Sequence, residues 1–429
     1  MLSRRAFLRS LSAAVIARTD LRLPPSPPSP SSPSLPPIPP VDVSAPAAAL
    51  RPRFSDLNRH FLFEYYPWYG VHPWRHWNQW DRVPPLDIAA MAVPALGPYD
   101  STRHRVLEQH ARWIVESGAG GVNVSWWGQD SYEDQAIPKL MDVMAAFGLK
   151  VTFHLEPYSD KREEHYAQDV LYLIRKYGDQ RHWDAMLVLK DADGREGPVF
   201  KSFATDLAST ALDRDAAATR RDREPRRDWR YQTDTVRSTL AAHFDHVYLL
   251  ADSSAVDRVR ACGFDGVALY DNFVRPAAWP HIAHECTGAG LLFCFNVNAG
   301  FDGIPRRHVV DGCCDDPPRL EPPASLDVDS PFSREAAKVR AERRIDDSLY
   351  HTLALQADQR LTNASRGFFL VYINSFNEWH EGTAFEPMKS CIDLSADERA
   401  RGYHNPVQGD YRLALLKERL DAVVGRNGS

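Results

Sequence analysis

The chain has 429 residues, of which 44% are hydrophobic and 25% are charged, and these are ordinary values for a globular protein of one large or two smaller domains. The formal net charge of -6 argues against a nucleic acid or an anionic membrane surface as the partner. The six cysteines form no CxxC pair and no zinc spacing, and no apolar run approaches the roughly 18 residues that a membrane span needs.

The first 53 residues have the composition of a targeting segment followed by a linker. Residues 1–20 begin with the basic stretch SRRAFLRS and continue into a short apolar patch, which is typical of a twin-arginine export signal. A transit peptide, a degenerate membrane anchor and an unprocessed N-terminus are the alternatives. Residues 21–53 are rich in Pro and Ser and are predicted to be a disordered, extended spacer. The folded domain is therefore predicted over residues 54–429.

From residue 54 onwards, apolar runs typical of strands alternate with helical patterns. Helices are predicted where apolar residues recur at helical spacing, over 104–117, 135–147, 164–177 and 333–361. Eight strands are predicted, at 61–68, 121–127, 150–156, 185–190 or 198–203, 246–251, 266–271, 291–297 and 368–376. This alternation indicates an α/β fold, a (β/α)8 TIM barrel that forms a single catalytic domain.

Two stretches interrupt the alternation. Residues 213–230 mix acidic and basic side chains, and they are predicted to be a solvated, mobile insertion because the acids interleave with the arginines. Residues 311–332 are rich in Pro and Asp and are predicted to be an irregular connection without a calcium-binding spacing.

The stretch 367–388 carries the strongest functional signal. A buried strand ends there in Asn377, Glu378, Trp379, His380 and Glu381. Two carboxylates three residues apart suit acid and base roles on a glycosidic bond, since one must be protonated and the other ionised. A solvated helix face is the ordinary interpretation of ExxE, but this pair follows a buried strand, where barrel enzymes place their chemistry.

The motif SFNEWHEGT around these glutamates resembles the signature of glycoside hydrolase family 99, the endo-α-1,2-mannosidases and mannanases. The resemblance covers residues 60–390 in order and implies a TIM barrel without cofactor or metal. It implies that Glu378 acts as a base on the 2-hydroxyl of the substrate and gives a 1,2-anhydro sugar. Glu381 then protonates the leaving oxygen and later activates water. The general retaining scheme, in which a carboxylate attacks the anomeric carbon, fits the same residues.

Further candidate substrate-binding residues lie after other strands. Four tryptophans, Trp68, Trp74, Trp77 and Trp80, are predicted to form a sugar-facing wall after the first strand, where the spacing of His72 and His76 does not favour a metal pair. Period two places His154 and Glu156 on one strand face. The family resemblance implies contacts to sugar from Tyr66 (with Tyr65 as the alternative), from Trp126 or Trp127, and from Tyr270 and Arg306. Asn377, Trp379 and His380 complete the predicted site.

The sequence thus predicts a retaining, endo-acting α-mannosidase. Its partner is a mannose-containing oligosaccharide or glycoprotein glycan, either a glucosylated high-mannose N-glycan or a mannan. A barrel glycosidase of different linkage specificity, such as an α-glucanase, and a non-catalytic glycan-binding protein are the alternatives. The protein is expected to be a monomer that is secreted or exported, in the Golgi lumen if eukaryotic and in the periplasm or outside the cell if bacterial.

Overall fold

The architecture is described by a computed structural model over residues 41–159, 162–205, 225–305, 319–322 and 325–425. The predicted targeting segment, residues 21–40 of the linker, residues 213–224 of the charged insertion, and Arg306 lie outside these described residues. Among the helices of the described residues, none is long and apolar enough to cross a membrane.

A ring of parallel strands forms the centre of the molecule. The strands in chain order are β1 Phe61–Tyr65, β2 Gly70–Val71, β3 Trp74–Arg75, β4 Gly121–Trp126, β5 Lys150–Leu155, β6 Val188–Lys190, β7 Glu196–Ser202, β8 Tyr248–Ala251, β9 Gly266–Ala268, β10 Leu292–Cys294, β11 Asn296–Asn298 and β12 Val371–Asn374. The described residues pair in the order β10-β9-β8-β7-β5-β4-β1-β12-β11, and every pairing in that path is parallel.

The two ends of this order belong to one stretch of chain. Only Phe295 separates β10 from β11, and β10 pairs with β9 while β11 pairs with β12. The segment 292–298 therefore acts as one strand that closes the ring, so the nine parallel segments of the described chain form an eight-stranded barrel. This confirms the predicted fold class.

The predicted fourth strand had two possible positions, and β7 occupies the second of them. The first contributes β6, which pairs antiparallel with β7. Strands β2 and β3 form a separate antiparallel hairpin in the loop that follows β1.

Helices surround the barrel and cover its outer face. They are α1 Ser44–Leu50, α2 His104–Ser117, α3 Tyr132–Ala146, α4 Arg162–Leu173, α5 Pro225–Leu240, α6 Val256–Ala261, α7 Trp279–Ala289, α8 Pro331–Ala357, α9 Thr362–Ser365, α10 Ala396–Arg399 and α11 Tyr411–Val424, with a π-helical segment at Ile174–His182 and short 3-10 segments at Leu57–His60, Pro276–Ala278 and Cys391–Asp393. Ser131 is the N-cap residue of helix α3, and its side chain accepts the N–H of Asp134, the N-cap bond expected of serine.

Alternation along β1 shows how the strands divide the core. Phe61, Phe63 and Tyr65 belong to the cluster between barrel and helices, whereas Leu62 belongs to the cluster inside the barrel. Every residue of β1 is buried, since the strand is covered on both faces. The inward positions at the carboxyl end of each strand are therefore the ones available to a site in the barrel mouth.

Two boundaries differ from the sequence predictions. Helix α1 forms within the predicted linker, where Ala47 and Leu50 are fully buried, because alanine and leucine favour a helix that can pack on the barrel core. Residues 225–230 of the predicted mobile insertion begin helix α5, and Trp229 is buried against Tyr166 and Phe264. Burial of the Trp229 indole stabilises this helical start, although the sequence around it is charged.

Candidate active site

The two predicted catalytic glutamates lie on a closed loop that follows β12. The N–H of Ser375 donates to the carbonyl of Thr383 at 3.3 Å, and the N–H of Phe385 donates to the carbonyl of Ser375 at 2.9 Å. These bonds join the two ends of the loop. Glu378 and Glu381 are thereby fixed at the carboxyl end of a barrel strand, where (β/α)8 enzymes place their active sites.

Glu378 is almost fully buried, with 1% of its surface exposed. Its Oε1 accepts the main-chain N–H of His380 at 3.1 Å, and its own N–H donates to Oγ of Ser375 at 2.8 Å. Burial and then the charge of Glu378 raise the pKa of Tyr69 well above its ordinary value. An N–H donor to a carboxylate favours its ionised form, which is the form that a base needs.

A chain of two tyrosine hydroxyls leads to Glu381. Tyr270 donates to Oε2 of Glu381 at 2.8 Å, and Tyr66 donates to the Tyr270 hydroxyl at 3.2 Å. The alternative residue Tyr65 instead points away from the mouth, and its hydroxyl bonds Nδ1 of His110 at 2.8 Å. The two carboxylates thus have different partners, as separate acid and base roles require.

Stacked rings form a wall beside Glu378. The ring of His76 lies 4.4 Å from that of Trp68 at 8°, and the ring of His380 lies 5.3 Å from that of His76 at 17°. Trp80 meets His380 edge-on at 4.7 Å. Burial and then the charge of His380 lower the pKa of His76 well below its ordinary value, so His76 is a neutral ring at physiological pH.

The other tryptophans of the predicted wall are less uniform. Trp77 is fully buried and donates to the carbonyl of Tyr99 at 2.7 Å, which fixes the loop. Trp74 is half-buried in the β2–β3 hairpin. Trp68 and Trp80 are the two tryptophans of this loop that reach the His380 ring.

The structure separates the two neighbouring tryptophans after β4. Trp126 is fully buried in the core between barrel and helices, and its indole N–H donates to Oδ1 of Asp134 at 2.9 Å. Trp127 is half-buried, donates to Oγ of Ser125 at 3.1 Å, and lies 6.4 Å from the Trp68 ring. Trp127 therefore remains the candidate for contact with sugar, and Trp126 is a core residue.

His154 and Glu156 have different neighbours although both are fully buried. Ser125 donates to Oε1 of Glu156 at 2.8 Å. Nδ1 of His154 donates to Oε2 of Glu64 at 2.7 Å, and Nζ of Lys201 lies 2.5 Å from Oε1 of the same carboxylate. Burial opposes ionisation of Glu64, but His154 and Lys201 outweigh it and lower its pKa to about 2. His154 therefore belongs to a charge network inside the barrel.

Asn377 and Trp379 hold the catalytic loop in place. Asn377 donates to the carbonyl of Tyr66 at 3.0 Å and accepts its N–H at 2.8 Å. The indole N–H of Trp379 donates to Oε2 of Glu386 at 3.0 Å, which also accepts the hydroxyl of Tyr99 at 2.7 Å. The side-chain polar atoms of Asn377 and Trp379, which were predicted to contact substrate, are thus hydrogen-bonded within the protein.

No metal centre is formed by the part of the chain that the structure describes, where three or more His, Cys, Asp or Glu side chains do not converge. His72 is exposed, while the ring of His76 is stacked on Trp68, so the two do not face a common ion. The prediction for Arg306 falls outside the described residues.

Sequence reasoning missed several residues that support the site, namely Glu64, Lys201, Tyr69, Tyr99 and Glu386. A charge in a run of strand-forming residues, such as Glu64 within FLFEYY, was the available signal, because an ionised side chain on a buried strand needs a partner. Its partner Lys201 lies 137 residues away, on the strand whose position the sequence left open.

Comparison with known proteins agrees with this geometry. A family model described as "Glycosyl hydrolase family 99" matches residues 56–188. A glycoprotein endo-alpha-1,2-mannosidase of Mus musculus is 25% identical over 374 residues, which cover 78% of this chain and 70% of that protein. A glycoprotein endo-alpha-1,2-mannosidase-like protein of Homo sapiens is 26% identical over 393 residues, which cover 82% of this chain and 73% of that protein.

The fold also matches a solved structure. The family 99 endo-alpha-mannosidase of Bacteroides thetaiotaomicron superposes with a TM-score of 0.59 and 21% identity, over 86% of this chain and 99% of that chain. The family model covers β1 to β5 and reaches the first residue of β6, and the structural likeness extends to the barrel as a whole. The sequence matches and the barrel fold together show that the protein is a glycosidase, and its sequence is similar to glycoside hydrolase family 99, whose model matches residues 56–188.

Proposed function

We propose that this enzyme is an endo-acting, retaining α-mannosidase that hydrolyses internal α-1,2-mannosidic bonds of glucosylated high-mannose N-glycans or of mannan. The observation that carries the proposal is the pair of buried carboxylates on the loop after β12, each of which has its own hydrogen-bond partner. Glu378 accepts an amide N–H, whereas Glu381 accepts a phenol hydroxyl. The names of the related mammalian proteins support mannose as the sugar.

In the proposed reaction, Glu378 removes the proton of the substrate's 2-hydroxyl. The resulting oxygen attacks the anomeric carbon, the glycosidic bond breaks, and Glu381 gives its proton to the leaving oxygen. A 1,2-anhydro sugar is formed. Glu381 then removes a proton from water, which opens the anhydro ring at the anomeric carbon while Glu378 returns its proton to the 2-oxygen. Two inversions give net retention.

Product analysis tests the substrate. The purified full-length chain is incubated separately with a glucosylated high-mannose N-glycan and with an α-1,2-branched yeast mannan, and released sugars are identified by mass. A glucosyl-mannose disaccharide supports the N-glycan substrate, and mannobiose from mannan alone supports the mannan. Folded protein that is inactive on both contradicts the proposed linkage.

Two amide variants test the division of roles. Glu378→Gln and Glu381→Gln are each expected to lose at least about 100-fold in kcat on the glycan, as loss of acid–base catalysis predicts. On a mannosyl fluoride donor, whose leaving group needs no acid, Glu381→Gln should recover part of its rate while Glu378→Gln stays inactive. Glu285→Gln on exposed helix α7 is the matched control. Equal behaviour of the two variants on both substrates contradicts the assignment.

We also propose that the protein is exported through its first 20 residues and works as a monomer. The paired arginines Arg4 and Arg5 support export by the twin-arginine route. Replacement of both by lysine is expected to keep the protein inside the cell in a bacterial host. Light scattering of the purified chain tests the monomer, for which a mass near 48.5 kDa is expected before any processing.

A further inference from the structure

The imidazole of His380 is held in one orientation between the hairpin loop and the base. The residue is 7% exposed and its ring stacks with those of Trp68 and His76. Its Nε2 lies 3.1 Å from the carbonyl oxygen of His76, and its Nδ1 lies 3.6 Å from Oε1 of Glu378. The two ring nitrogens thus face two different groups.

The contact with His76 decides which nitrogen carries the proton. A main-chain carbonyl oxygen only accepts hydrogen bonds, so Nε2 of His380 must be the donor. In the neutral ring, Nδ1 then carries no proton. Only the imidazolium has an N–H at Nδ1, and its positive charge would lie 3.6 Å from Oε1 of Glu378.

We propose that His380 is a positioning residue that controls Glu378 through this fixed tautomer, which rests on the role of Glu378 in the proposed function. In the working state His380 is neutral, is tethered to the His76 carbonyl by Nε2–H, and holds Oε1 of Glu378 through its main-chain N–H. In acid, a proton on Nδ1 places a positive charge beside Glu378 and makes it a weaker base.

The charged and titratable groups around the His380 ring determine the pH at which Nδ1 takes up a proton. The carboxylate of Glu378 favours the imidazolium, while a protonated His76 on the hairpin side would oppose it. His76 stays neutral because burial, His380 and Arg75 lower its pKa. Tyr69, which meets the His380 ring edge-on at 5.6 Å, remains protonated because its pKa is raised. His380 and Glu378 are therefore the two titratable groups that face each other across 3.6 Å.

Two variants distinguish the hydrogen bond from His380 to the His76 carbonyl from the protonation of the His380 ring. In His380→Gln the side-chain amide can still donate to the His76 carbonyl but cannot take up a proton. The acid limb of kcat/KM, measured against the variant's own rate at neutral pH, is expected to move lower by about one pH unit. His380→Ala loses the tether as well, and kcat is expected to fall about tenfold or more across the whole pH range. His281→Gln, whose side chain is 79% exposed on α7, is the matched control.

Nitrogen NMR of the full-length chain labelled at histidine tests the tautomer without activity. The His380 resonances are those absent from His380→Gln, and the shifts are expected to show Nε2–H at neutral pH. Their titration midpoint should fall in Glu378→Gln, which lacks the carboxylate charge. An Nδ1–H tautomer, or an acid limb that His380→Gln leaves in place or moves higher, overturns the proposal. Absence of mannosidase activity with the expected NMR result would instead count against the proposed substrate alone.

Discussion

Replacement of Lys201 by methionine is expected to destabilise the barrel by about 3–5 kcal/mol. Glu64, Lys201 and His154 are fully buried, so their charges are screened little by water. Glu64 also accepts the side-chain N–H of Asn123 at 2.9 Å, which makes three donors for one carboxylate. Without Lys201 the carboxylate of Glu64 stays buried in the barrel but lacks its cationic partner. Removing one partner of a buried ion pair typically costs about 3–5 kcal/mol of stability.

The same network predicts how stability depends on pH. Glu64 has its pKa lowered from 4.5 to about 2, which corresponds to about 3 kcal/mol at roughly 1.4 kcal/mol per pH unit. Because the folded pKa is the lower one, this contribution is complete above pH 4.5 and is lost as the pH falls towards 2. The double variant Glu64→Gln/Lys201→Met should lack this dependence and should be more stable than Lys201→Met alone.

Urea unfolding of the full-length chain at pH 7, 5.5, 4 and 3 measures both effects. The control is Lys190→Met, since Lys190 pairs with Glu196 at 2.8 Å but the two side chains are 60% and 50% exposed. That change should cost less than about 1 kcal/mol. If Lys201→Met costs no more than the control at pH 7, or if the double variant is as unstable as the single one, the reasoning about the buried network is wrong.

Four further substitutions test the site and its support. Tyr270→Phe removes the hydroxyl that donates to Glu381, the proposed acid, and kcat/KM should fall about 10- to 100-fold with the fold intact; a change below twofold contradicts this. Trp127→Ala should raise KM for the glycan with little loss of stability, whereas Trp126→Ala should cost about 3–5 kcal/mol in urea unfolding. Gly382→Ala places a Cβ at a φ of +62° and 2.7 Å from Cβ of Asp302, so we expect a loss of about 2–4 kcal/mol, and unchanged unfolding would refute the crowding.

Much of the fold could be predicted because each strand and helix has a local signal. Apolar residues at helical spacing gave the bounds of α2, 104–117, as they stand in the structure. The run 291–297 indicated the strand that closes the ring, although the structure divides it at Phe295. The bounds of α1 were missed, since an Ala-rich helix after a Pro-rich tract becomes stable only by packing on a core that lies far along the chain.

For the candidate site, some residues could be predicted from the sequence and others could not. Glu378 and Glu381 stood out because two carboxylates follow a buried strand, and Tyr66 and Tyr270 were implied by the family resemblance. The structure links Tyr66, Tyr270 and Glu381 by hydrogen bonds, while Glu378 accepts the main-chain N–H of His380. Trp126 was left as an alternative to Trp127, yet period two along β4 places Trp126 on the helix-facing side with the other outward residues. The alternation was therefore sufficient to choose between them.

What sequence reasoning could not supply is the set of partners that hold the catalytic loop. Glu386 is fully buried and meets His110 of α2 at 3.2 Å across 276 residues of chain, while its other oxygen holds Trp379. No local pattern encodes such a pairing, because it exists only when the barrel brings α2 beside the loop after β12. Since Trp379 directly follows Glu378, the position of the proposed base depends on the buried carboxylate of Glu386. The residues that chemistry requires are thus readable from the motif, but those that fix their geometry are set by closure of the barrel.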